Sequence, residues 1–106
     1  MAVAASLDAQ NNMASRWRRR QMCVLIAGNP CPAALRQVSA AGAFLETNAR
    51  PKLGASVELH HPDAGAIEAE VSSLSQDGVG LAFRTSERSV AFALAAIAAD
   101  MSRPAA

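Results

Sequence analysis

Residues 66–83 read AIEAEVSSLSQDGVGLAF, and they narrow the fold more than any other stretch of the chain. Along an extended backbone Ile67, Ala69 and Val71 fall on one side, while Glu68, Glu70 and Ser72 fall on the other. Such alternation marks a strand with one buried and one wet face, the usual state of an antiparallel sheet. Asp77-Gly78 is a good hairpin-turn sequence, and Val79, Leu81 and Phe83 then form the inward face of a returning strand.

The same grammar runs upstream in shorter pieces. Residues 22–27 (MCVLIA) are a short apolar strand, ended by the turn signal Gly28-Asn29-Pro30. Residues 33–38 (AALRQV) read as the next strand, and after a break at Ser39-Ala40-Ala41-Gly42 the pattern resumes in GAFLE, to Glu46. Asn48 to Gly54 is a loop containing Pro51 and the basic pair Arg50 and Lys52. Val57 and Leu59 then share a face ahead of a turn at Pro62-Asp63-Ala64-Gly65. Six short strands in about sixty residues predict a small barrel or sandwich.

The period changes at the C-terminus. Ser86 can cap a helix, and Glu87 suits the dipole of its first turn. Val90, Leu94, Ile97 and Met101 follow at i, i+4, i+7 and i+11, a stripe expected to pack on the outside or one mouth of the barrel. Pro104 lies beyond the expected end. The fold class predicted is therefore all-β with one C-terminal helix.

A chain of 106 residues holds one domain, here placed at 16–103, behind a small, polar segment 1–15 expected to be mobile. Its apolar half is rich in alanine, and only Trp17, Phe44, Phe83 and Phe92 are aromatic, so the core should be small and aliphatic. No apolar run approaches the ~18 residues of a membrane span. The opening MAVAASLDAQNN lacks the order of a secretory signal, and the simplest location is cytoplasmic. Cys23 reads as a buried thiol and Cys31, between two prolines, as a turn residue; reduced thiols are expected of both. His60 and His61 point to opposite faces of a strand end expected to be solvated, an arrangement one metal ion could hardly use. Glu68 and Glu70 read as surface carboxylates without a nucleophile beside them, and no catalytic constellation is visible, so an enzyme is not expected.

Charge is concentrated in one place. Four of the five residues 16–20 (RWRRR) are arginine, while the whole chain carries +1, so the remainder is net negative by three. Arginine forks bind phosphate or a guanine edge bidentately, and their faces stack on bases. Taken alone, such a run is more often a solvated basic tail.

With these strands in place, the chain resembles the PilZ domains, bacterial receptor modules for cyclic di-GMP. The resemblance covers residues 16 to about 100. It rests on an Arg-x-x-x-Arg element at Arg16 and Arg20, and on an Asp/Asn-x-Ser-x-x-Gly turn met in part by Gln37, Ser39 and Gly42. The flanking QVSAAGAFLET, KLGASVEL and AIEAEVSSLSQDGVGLAF follow in the family's order. The resemblance implies a six-stranded antiparallel β-barrel whose arginine segment closes over cyclic di-GMP. Arg16 and Arg20 would reach guanines and phosphates, with Arg19 a possible further phosphate contact. Ser39 would offer a hydroxyl, and Gly42 would let the backbone turn close to the ligand. The family's Asp or Asn, a guanine acceptor, is replaced here by Gln37, one methylene longer. The function implied is a sensor or adaptor without cofactor, passing the signal to a partner protein or through a homodimer, with no specific nucleic acid expected. Two rivals stand beside it. One is a degenerate PilZ-like interaction module that binds no nucleotide; the other is a small nucleic-acid-binding barrel, disfavoured by the few aromatics on its strands.

Overall fold

A computed structural model describes residues 21–102; the expectations for 1–15, for Trp17 and for the arginines at 16–20 lie outside that range. The described chain forms six strands and a helix: β1 (Gln21–Ala27), β2 (Asn29–Ser39), β3 (Gly42–Glu46), β4 (Ser56–His61), β5 (Gly65–Ser75), β6 (Gly78–Ala82) and α1 (Glu87–Ser102). The strands close into an antiparallel barrel in the order β1-β2-β3-β6-β5-β4. Closure runs through β1 and β4, where Leu25 pairs with Leu59.

Alternation builds the interior. Leu25, Leu45, Leu59 and Val79 are fully buried, and Cys23, Val57, Ile67, Val71, Leu81 and Phe83 complete the filling with at most 6% exposure. Each aliphatic side chain taken from water contributes roughly 1.5–3 kcal/mol. The inward sets read from the sequence for β4, β5 and β6 are the ones the barrel buries.

Three local readings change. Pro30-Cys31-Pro32 is not a turn but the start of β2, with Cys31 opposite Leu25. Gly28 alone turns the chain, at φ 88°, between paired Ala27 and Asn29. Proline is tolerated because β3 joins β2 only from Ala34 onward, leaving this end of β2 an edge on that side. The β5–β6 turn is Gln76-Asp77, one residue earlier than expected, with Gly78 already paired to Ser75. His60 is half-buried beside the Glu58 carboxylate at 2.9 Å, but His61 is not solvated: it is 4% exposed. Its Nδ1 accepts the backbone N–H groups of Asp63 and Ala64, each at 3.0 Å, and so holds the β4–β5 turn from inside.

The largest correction concerns α1. The stripe Val90, Leu94, Ile97 and Met101 does not pack; its members are 42%, 62%, 41% and 78% exposed. The seated face is Ser89, Phe92, Ala93 and Ala96. The helix contacts β2 and β5, which are not neighbours in the barrel, so it lies across one mouth. There the Phe92 ring meets Phe83 edge-on at 5.6 Å and His61 at 6.0 Å. A face of alanines lets the helix come down close enough for one aromatic ring to plug the opening. The cap is as expected: Ser86 Oγ accepts the Ser89 N–H, and Ser89 Oγ accepts the Ser86 N–H at 2.9 Å. No helix among the described residues is long and apolar enough to cross a membrane.

Candidate functional site

The β2–β3 hairpin brings three of the implied residues together. Ser39 pairs with Gly42 across a two-residue turn at 40–41. Ser39 Oγ accepts the Ala41 N–H at 3.1 Å, which leaves the hydroxyl proton free to be donated outward. The Phe83 N–H donates to the Ala41 carbonyl at 2.8 Å, tying the turn to the chain leaving β6. Gly42 faces β6 so closely that a Cβ would overlap the Leu81 carbonyl oxygen. Its missing side chain thus has a packing cause inside the barrel wall.

Gln37 owes its direction to a β-bulge. Ala33 and Leu35 point inward, so strict alternation would carry Gln37 into the barrel as well. The ladder instead skips Arg36: Leu35 pairs with Leu45 and Gln37 with Phe44. The extra residue turns Gln37 outward, to the same exposed side as Ser39. Arg36 leans away to the Glu46 carboxylate at 2.9 Å. Phe44, half-buried, stands directly between Gln37 and Gly80 in the cross-strand row. An aromatic ring at that place was not foreseen, because only the register puts it beside Gln37.

Arg16, Arg19 and Arg20 lie outside the described residues. Gln21 pairs with Leu35, so the chain enters β1 one strand away from Arg36 and Gln37.

A concavity of about 740 Å³ opens on the outer faces of β4 and β5 beside the start of α1. Glu58, Glu68 and Glu70 line it together with Arg84 and Arg88. Glu58 and Glu68 are directly opposite one another, a like-charge pair. Arg88 is held by the Ala66 carbonyl. The groove adjoins the hairpin through the outward row Ser39–Gly42–Ala82–Glu70–Ser56. Glu68 and Glu70 are exposed, as their alternation indicated, but the approach of Arg84 and Arg88 depends on where the helix starts. Three carboxylates against two guanidinium groups leave this groove net negative, which disfavours a phosphate dianion.

Among the described residues no group of His, Cys, Asp or Glu is arranged to hold a metal ion. Both cysteines are free thiols, and burial pushes Cys23 up to about 11. That keeps it protonated and unreactive at neutral pH. No family model matches the chain, nor does any curated protein or solved structure.

Proposed function

We propose that this chain is a non-enzymatic PilZ-like receptor for cyclic di-GMP, working in the cytoplasm and passing the signal to a partner protein. The observation that carries this reading is the β2–β3 hairpin. Its bulge turns Gln37 outward beside Ser39, on a six-stranded barrel whose first strand is entered from an arginine cluster. In this mechanism Arg16 and Arg20 clasp guanine edges and phosphates, with Arg19 near a phosphate. The Ser39 hydroxyl donates to the ligand, Gln37 offers its amide oxygen to a guanine N–H, and Gly42 keeps the wall low beneath it. Ordering of the segment around Arg16 to Arg20 on the ligand would alter the surface shown to a partner.

A degenerate, nucleotide-free interaction module is favoured by a specific pair of facts. Gly42 is already required by the Leu81 carbonyl, and Ser39 already serves its own turn. Both residues would persist without a ligand. A misplaced acceptor at Gln37 would leave a guanine N–H unpaired, at a cost of about 1–3 kcal/mol.

Calorimetric titration with cyclic di-GMP, using GMP as the control, separates the two. Micromolar binding lost in Arg20→Ala supports the receptor. Absence of binding by the natural chain, with binding created in Gln37→Asp, establishes the degenerate module. Absence of binding in both removes the nucleotide from the account.

A further inference from the structure

Helix α1 is apolar on the side that the barrel does not cover. Between Arg88 and Asp100 it carries no charged residue, and its exposed positions there include Val90, Ala91, Leu94, Ile97 and Ala98. A surface helix ordinarily turns polar residues to water; one that is apolar all round is covered. We infer that the stripe Val90, Leu94, Ile97 and Met101 is a dimerisation surface, and that its occupant is the same stripe of a second copy of this chain.

Two features select a second copy, and a third sets how tightly it is held. First, the spacing along the stripe is four, three, four, the same read from either end. A two-fold axis between Leu94 and Ile97 therefore lays the stripe onto itself, as an isologous interface requires. Val90 then faces the partner's Met101, and Leu94 faces the partner's Ile97. This is also the seam spacing of two helices packed at about 20°. Exposed Ala91 and Ala98 border the seam and let the backbones approach.

Second, charge favours this occupant over a lipid surface. The helix holds Glu87, Arg88 and Asp100, a net negative charge, whereas a helix lying on a membrane needs a cationic border. In an antiparallel pair the opposed helix dipoles complement each other. The last turn has no basic residue of its own to do so.

Third, the area sets the strength. A helix of 16 residues is about 24 Å long, and a seam about 10 Å wide covers roughly 500 Å² over both copies. Stable specific interfaces bury about 1,200–2,000 Å², so a seam of this size makes a weak, reversible dimer, populated only at high protein concentration.

Sedimentation equilibrium of the full chain from about 1 to 500 µM tests this. The expected result is a mass rising from 11.0 kDa toward twice that value. Leu94→Glu and Ile97→Lys should each stay monomeric, and their mixture should dimerise again, because positions 94 and 97 meet across the two-fold. Circular dichroism checks that both variants are folded; if either is not, Leu94→Ala and Ile97→Ala take their place, each weakening the dimer at least tenfold. A monomer at every concentration, a dimer indifferent to these substitutions, or no recovery in the mixture overturns the inference. So does co-flotation of the chain with phosphatidylglycerol vesicles that Leu94→Glu abolishes.

Discussion

Just past the end of strand β6, Phe83 meets Phe92 of helix α1, and the strand and the helix bury themselves by opposite means. In β6 the large side chains Val79 and Leu81 go inward, while the outward positions are Gly78, Gly80 and Ala82. In α1 four of the large aliphatic side chains stay outside, and the seat is made of Phe92 among Ser89, Ala93 and Ala96. A closed barrel has an interior that must be filled, and the pleat assigns every second residue to it. A helix laid across a mouth fills nothing. It needs only a close approach and one plug, and small residues provide the approach.

The largest effect should come from removing the plug. Phe92→Ala is expected to destabilise the fold by about 3–5 kcal/mol, against about 0.5 kcal/mol or less for Leu94→Ala in the monomer. Urea unfolding at low micromolar concentration measures both. Equal losses would mean that the helix sits on the other face, and the contrast with β6 would collapse.

The barrel wall offers the next test. In Gly42→Ala the new methyl meets the Leu81 carbonyl, so β3 and β6 must separate locally, at about 1–3 kcal/mol. An unchanged unfolding midpoint would show that the strands have slack there. Gly42 would then owe its place to something other than packing.

The smallest effect concerns a thiol in the barrel interior. Unfolded, the Cys23 thiol ionises near 9.0; burial holds it protonated to about 11 in the fold. Its contribution is therefore whole below pH 9 and is lost as pH rises toward 11, by up to about 2 kcal/mol. The difference in stability between the natural chain and Cys23→Ala, followed across that range, should shrink. A constant difference would mean that the thiol ionises alike in both states.

The hairpin that carries Gln37, Ser39 and Gly42 was legible from a short pattern. Ser39-Ala40-Ala41-Gly42 marked the hairpin, and its spacing from Gln37 suggested a site before any register was known. The direction of Gln37 was not legible. A bulge adds a single residue to one strand, and nothing in AALRQV says that Arg36 rather than Gln37 is skipped. Phe44 was hidden for the same reason, since its neighbours Gln37 and Gly80 come from two other strands. His61 looked like half of a polar pair at a strand end; the turn folding back over Nδ1 and the Phe92 ring against it belong to tertiary structure.

By itself the sequence determined the number of strands, the inward residues of β4, β5 and β6, and the helix cap at Ser86. Each is written within a few residues, as alternation with polar side chains outward or as a capping hydroxyl ahead of a first turn. Tertiary structure alone decided which side of α1 is seated and which way Gln37 points. The large aliphatic side chains of this helix fall on one face, but its other faces are mostly alanine, with little polar contrast to keep them from being the buried side. The barrel mouth chooses, and it takes the side that admits one phenyl ring over closely packed backbone.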